Sequence, residues 1–591
     1  MNRTHSSGSL TRRRRAVTVS AHIAGISAIF ERGPEVISSQ GMAEEFDQDL
    51  AVMKQLVTTL ENRRAACRAS VALSKFPVEI LGEIMAILVD VWPLISACNR
   101  GTPSLGWMQI THVCRHWRDV ALDMPMLWTK NICTLTDAAD TMLERARDLP
   151  VDMVCNCDNH TETEWPIIFQ FCLSNFHRAR SLYLCFEDED YEKVAAALSS
   201  QPLPHLESFK IGWGVDLRHP GIFDFPYLIA PKLRTVSLND GFLPWDPSAI
   251  HHIDAIVSDN DLNSEPSPTR LLTLLRDSCN LRHLKLVGWI STDFIAFHDQ
   301  AFIASLPHLE YMYLESSPRR AMAVMSHLSF PKTTRIALEL HEYPENDDSS
   351  SVACSDFLEI ITFLRPRVSR AASVGLLLTT VNSDLWSDDG FRMVLLTSSS
   401  DNMDNAFKDR NKEQLDLRAS TTSFTTQELL TICRRAQRDL LLEDIDTLEL
   451  DRLADYTTEN WEELFGLFPR VESLRIRTTS GLSNLSNLVI SLMPSRVSRA
   501  FLPALDHIHI DINVSTLEAT DDYRLVLAHF LGIVHARAAL GFGIHRITFR
   551  GYRAKDSYRS GCVEKVDILE HLEAAGVLRG LEDIVPHLEV D

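Results

Sequence analysis

In "FPVEILGEIMAILVDVW" (76–92) the apolar residues Ile80, Leu81, Ile84, Met85 and Leu88 recur every three or four positions, the period of one helix face. Pro77 falls near the first turn, where its missing N–H costs nothing, and Glu79 lies near the positive end of the helix dipole. The apolar stripe is wider than one short helix can bury by itself. "GWMQITHVCRHWRDVALD" (106–123) continues the helical period through Trp107, Ile110, Val113, Cys114, Trp117, Val120 and Ala121. Asp123 to Pro125 ends it, and Trp128 follows in an extended segment. Upstream, "EEFDQDLAVMKQLVTTLENRRAACR" (44–68) sets Leu50, Met53, Leu56, Val57 and Leu60 on one face, which predicts an amphipathic lead-in helix within 44–72. Two helical pieces of about fifty residues stand near the lower limit of an independent domain, so a partner is expected to complete them.

Past residue 132 the pattern changes. "LPHLESFKI" (203–211), "APKLRTVSL" (230–238), "CNLRHLKLV" (279–287), "LPHLEYMYL" (306–314), "FPKTTRIAL" (330–338), "FPRVESLRI" (468–476) and "LPALDHIHI" (502–510) share an apolar-x-x-apolar-x-apolar core. Weaker copies are "RARSLYL" (178–184), "DIDTLEL" (444–450) and "IHRITF" (544–549). The anchors Leu206, Leu233, Leu281, Leu309 and Thr333 lie 27, 48, 28 and 24 residues apart, so one interval resembles a double. In such a unit the last two apolar side chains share one face of a short strand and the residue between them faces the other way. One unit cannot cover its own apolar face, whereas stacked neighbours can, with helices such as "PTRLLTLLRDSC" (268–279) or irregular turns outside. The predicted architecture is therefore α+β or α/β: a small helical part, then an irregular leucine-rich-repeat-like solenoid of short parallel strands over 133–591. An α/β domain with several parallel strands is the alternative. The polar, serine-rich segments 341–356 and 397–414 read as rim loops or as a break between two stacks.

Composition narrows the function. The chain has 591 residues, 45% hydrophobic and 23% charged, which is globular. Its formal charge of −22 opposes general nucleic-acid binding. Twelve cysteines without paired spacing read as reduced thiols in the cytoplasm or nucleus. Cys155, Cys157 and His160 in "CNCDNH" lack the partner pair that would close a tetrahedral zinc site. His112 and His116 sit i,i+4 on the predicted helix but lack the Glu of HExxH or a third ligand. No metal and no cofactor is assigned. No apolar run reaches the ~18–20 residues needed to span a bilayer, so no membrane partner is expected. The opening "MNRTHSSGSLTRRRR", with no acid before Glu31, reads within 1–43 as a disordered tail, with an import signal as the alternative.

Taken in order, "LSKFPVEILGEIM" (73–85) and "ITHVCRHWRDVALDMPMLWTKNI" (110–132) resemble the F-box motif, in the extended form common in mushroom-type fungi. The resemblance covers 73–132. Phe76 stands where the family usually has Leu, and "DVWPLISACNRGTPSLGW" separates the halves like an insertion. The resemblance implies that Phe76, Pro77, Ile80, Leu81, Ile84, Val113, Cys114 and Trp117 meet the Skp-type adaptor of an SCF-type cullin-based ubiquitin ligase. The repeats would then hold an unidentified protein substrate. The solvent-facing repeat positions Lys210, Ser237, Lys285, Tyr313, Ala337, Glu449, Arg475 and His509 mix cations, an anion and an aromatic. Tyr313 and Arg475 are the expected substrate anchors. No G-x-S-x-G, phosphate loop or H-E-x-x-H occurs, and "GFGIHR" (541–546) lacks the third glycine of a dinucleotide turn, so an enzyme is not expected. The rival reading is an interaction scaffold unconnected with ubiquitin.

Overall fold

A computed structural model describes residues 54, 55, 58, 76–95, 104–187, 190–213, 223–224, 227–239, 241–242, 245–257, 266–297, 302–341, 354–367, 375–382, 389–396, 413–420, 425–451, 456–478, 482–493, 502–513, 523–554, 563–566, 568–574 and 576–590. Residues 54, 55 and 58 are helical; the rest of the predicted lead-in, and the N-terminal tail, lie outside the described residues. The chain divides into two compact units. One runs to Pro93 and resumes at Leu105–Leu127; the other takes Leu94–Ser104 and Trp128 onward.

In the first unit helix α1 spans Val78–Val91, with Pro77 as its N-cap and the N–H of Trp92 closing on the Leu88 carbonyl at 2.9 Å. It buries Leu81, Gly82, Met85 and Val89. The predicted second helix is in fact two pieces: a 3₁₀ segment at Gly106–His112, then helix α2 at Arg115–Asp123. Cys114 between them is fully extended, with φ −159° and ψ 171°. Both pieces pack on α1, and the break lets Trp107 and Ile110 of one and Val120 and Ala121 of the other all be buried. His112 and His116 therefore share no helix face. Gly106 is required where the chain re-enters: its φ is +46°, and a Cβ there would stand 2.3 Å from the Pro93 carbonyl oxygen.

The second unit is mixed helix and strand, built on one 17-stranded, mainly parallel sheet. Its strands are β1 Val151–Asn156, β2 Ala179–Phe186, β3 Ser208–Trp213, β4 Thr235–Asn239, β5 His252–Ile256, β6 His283–Val287, β7 Tyr311–Ser316, β8 Arg335–Leu340, β9 Gly375–Asn382, β10 Asp389–Leu396, β11 Glu413–Ser420, β12 Thr447–Asp451, β13 Ser473–Thr478, β14 His507–Asn513, β15 Arg546–Ala554, β16 Val563–Val566 and β17 His587–Val590. From β1 to β8 each strand pairs in parallel with the next in sequence. β12 to β15 do the same, and β17 extends the row from β15 while β16 pairs antiparallel with β15. Every predicted repeat core coincides with a strand. The double interval between Leu233 and Leu281 holds β5, whose "HIDAI" carries an alanine in place of the second large apolar residue.

Strand pairing continues across the two segments read as rim loops or as a break. Residues 342–353 and 397–412 lie outside the described residues, but the sheet continues past both. β8 pairs in parallel with β11, β11 and β9 each pair antiparallel with β10, and β9 pairs in parallel with β12. Of β9, β10 and β11 it is β10 that is reversed, so a three-stranded meander carries the parallel direction across the gap.

Burial explains the repeat. Leu206, Leu233, Leu281, Leu309, Val471 and Leu505 are all buried at the strand entrances. In "FPKTTRIAL" the buried position is taken by Thr334, not the expected Thr333, which is exposed. The Thr334 hydroxyl meets its need for a partner by donating to the Leu309 carbonyl at 2.7 Å. Helices Cys354–Leu364, Thr426–Asp439, Thr458–Leu467, Leu482–Ser491 and Tyr523–Ala539 pack each against the next. They cover the face that carries the apolar strand residues, as consistent crossover handedness requires.

Candidate functional site

Two surfaces hold the residues expected to bind. On the helical unit, α1 is apolar on two sides. Leu81, Met85 and Val89 point inward, while Ile80, Ile84, Ile87 and Val91, spaced i, i+4, i+7 and i+11, form a second stripe. In that stripe Ile80 is 45%, Ile87 62% and Val91 73% exposed, and Ile84 is half-buried. Val113, Leu105 and Met126 are exposed as well. Of the expected adaptor contacts, Phe76, Pro77, Ile80 and Val113 are exposed, and Ile84, Cys114 and Trp117 are half-buried. Leu81 is completely buried within the unit, so its position is a core position and not a contact surface. Sequence spacing alone could not separate it from Ile80, since both lie on the same broad apolar arc. Ile87 and Val91 belong to the exposed stripe and were missed, although i+7 from Ile80 points to Ile87.

The second surface is the sheet face opposite the helices. All eight positions expected there fall in a single register row: Lys210 beside Ser237, Lys285 beside Tyr313, Tyr313 beside Ala337, Glu449 beside Arg475, and Arg475 beside His509. The row also takes in Tyr183, Asp254, Thr548 and Glu589, which the repeat pattern did not single out. It is not uniformly displayed. Lys210 is exposed, and Ser237, Lys285, Tyr313 and His509 are half-buried, whereas Ala337, Glu449 and Arg475 are buried. Stacked strands only ~4.8 Å apart let long neighbouring side chains cover one another.

Around Tyr313 the row is a polar network. The phenol donates toward both Glu315 Oε2 (3.0 Å) and Glu339 Oε2 (2.6 Å), and His341 Nε2 stands 3.8 and 3.6 Å from the other oxygens of the same two carboxylates. Lys285 lies 5.8 Å above the Tyr313 ring and 3.4 Å from Asp254 Oδ1. Burial and the adjacent Glu339 push the Glu315 carboxyl above its ordinary range. The next row stacks His252 on His283 at 5.3 Å, then Tyr311, with Arg335 over the Tyr311 ring at 5.5 Å. Burial holds both imidazoles below the ordinary histidine value, and each lowers or is lowered by neighbouring positive charge.

Around Arg475 the row is ionic. Its Nε and Nη2 donate to Asp511 Oδ2 at 2.9 and 2.7 Å, Glu449 Oε1 is 4.0 Å away, and His509 Nε2 meets Asp511 Oδ1 at 2.9 Å. With Arg475 only 2% exposed, the expectation that it is displayed as a substrate anchor is corrected: its guanidinium is committed to an internal ion pair. The row as a whole is a mixture of paired charges and aromatics. Among the described residues no helix is long and apolar enough to cross a membrane. In comparisons with known proteins, no family model matches the chain and no curated protein matches it.

Proposed function

We propose that this chain is the substrate-recognition subunit of an SCF-type, cullin-based ubiquitin ligase. In this reading the first unit is an F-box that docks on a Skp-type adaptor, and the second is a leucine-rich-repeat-like solenoid that holds a protein substrate. The observation that carries it is the second apolar stripe of α1. A helix whose inward face is already filled has no internal use for Ile80, Ile87 and Val91, and clustered exposed apolar residues mark a protein-binding face. The order of the "FPVEIL" and "VCRHWR" segments supports an F-box over an unspecified helical cap. Chain-ordered parallel pairing of short strands supports the solenoid. Holding substrate beside the ligase would raise its effective concentration at the site of transfer. The protein would act in the cytoplasm or nucleus.

The test is co-purification of the full chain with a Skp-type adaptor and cullin. Ile80→Asp with Ile87→Asp places charge in the proposed dry contact, which costs several kcal/mol, roughly a thousandfold in affinity. Both side chains are exposed, so the far-ultraviolet circular dichroism should be unchanged. Undiminished adaptor capture by this folded variant would refute the docking surface. Failure of the unaltered chain to bind any Skp-type adaptor would favour an interaction scaffold outside ubiquitin transfer.

A further inference from the structure

The sequence pairs Cys157 with Cys155, two residues away, but the fold pairs it with Cys185, twenty-eight residues on. Cys155 lies on β1 and is buried, and deeper in the same unit Cys172 Sγ is 3.1 Å from Cys133 Sγ. Cys157 comes after the end of β1, in the 3₁₀ turn Cys157–Asn159. Parallel register sets Asn156 opposite Cys185, so the turn lies over the end of β2. The Cys157 and Cys185 sulfurs and a carboxylate oxygen of Asp158 all lie within 4.8 Å of one another. Tetrahedral zinc, with Zn–S near 2.3 Å, places neighbouring ligands roughly 3.7 Å apart, so only small side-chain rotations separate this arrangement from a coordinating one.

We infer that Cys157, Asp158 and Cys185 form a binding site for one thiophilic divalent cation of the zinc class. Two sulfurs and a carboxylate select a borderline-soft ion over magnesium or calcium, which prefer all-oxygen shells. Asn156 Oδ1 accepts the Asp158 backbone N–H at 3.0 Å and so fixes the turn that carries the carboxylate. Tyr183, two residues before Cys185 on β2 and with Lys210 4.9 Å from its ring, offers a neighbouring oxygen. Cys185 is buried, Cys157 half-buried and Asp158 exposed, which leaves one side open for ion entry and for a water in the remaining position. His160, the third residue of the sequence cluster, lies outside this group, and its Nδ1 faces the Thr136 hydroxyl at 3.3 Å. Loading displaces a proton from each thiol to solvent, so affinity rises with pH. The ion would tie the exit turn of β1 to β2 at the start of the sheet.

The experiment strips the purified, reduced full chain with a chelator and titrates it with Co²⁺. The expected result is one cobalt per chain with a thiolate-to-metal charge-transfer band, bleached by Zn²⁺. Cys157→Ser, at a half-exposed position that the fold tolerates, should weaken cobalt binding ~100-fold or more, and Asp158→Asn about tenfold, since even outer-shell changes cost 10–100-fold. Cys279→Ser, at an exposed cysteine elsewhere, should change nothing. Absence of the band, or its persistence in a folded Cys157→Ser variant, would overturn the site.

Discussion

At the scale of single residues, the sheet face owes its properties to how each charge is paired. Arg475 and Asp511 are both buried, and removing one member of a buried pair strands the other. Arg475→Ala should therefore destabilise the second unit by about 3–5 kcal/mol in chemical denaturation. A purely substrate-contacting arginine would leave the midpoint unchanged. Glu315 has the opposite character. Its folded carboxyl holds its proton more tightly than the unfolded value of 4.5, so the native state binds more protons and stability falls as pH rises through the folded value. Glu315→Gln should accordingly raise the melting temperature at neutral pH, with the gain disappearing in acid. His252 and His283 act in the other direction. Their folded values lie below 6.5, so the unfolded chain binds more protons and stability declines as pH drops through 6.5. Replacing both with Gln should flatten that acid-side loss in a melting-temperature profile.

At the scale of elements, end-chemistry decides where helices start and stop. Helix Thr426–Asp439 begins with a capping box: Glu428 N–H donates to Thr425 Oγ1 at 3.3 Å, and Glu428 Oε2 accepts the Thr425 N–H at 2.8 Å. Thr425→Ala should cost about 1 kcal/mol, and Thr425→Ser little, as read from denaturation midpoints. At Gly106 the penalty is steric and conformational together, because the added Cβ would meet backbone rather than a side chain that can move. Gly106→Ala should loosen the helical unit and reduce protection of Trp107 from quenching. The 106–123 region shows why element boundaries were less legible than element types. Its apolar spacing is helical throughout, yet the break at Cys114 satisfies burial of both halves, a tertiary demand that no local periodicity encodes.

For the whole molecule, the sequence by itself determined the repeat, its strand phase and the small helical part, because a strand's period of two and a helix's period of 3.6 are written into the order of apolar residues. It put Lys210, Ser237, Lys285, Tyr313, Ala337, Glu449, Arg475 and His509 on one face, and strand register, passing from Ala337 to Glu449 through Asp416, Val394 and Leu377, joins all of them into one row. It also marked α1 as too apolar to be buried by its own unit alone. Tertiary structure decided what period cannot express. β9, β10 and β11 carry no repeat signature, and only pairing with β8 and β12 shows that they bridge the sheet. Leu81 and Ile80 are adjacent and chemically alike, and packing alone makes one core and the other surface. Arg475 reads as a displayed cation until Asp511, thirty-six residues on, is brought against it. Cys157 and Cys185 become neighbours only when two strands align side by side. In each case the deciding partner is distant in sequence, and contact between distant residues is fixed by the register of the folded sheet and the packing of its helices.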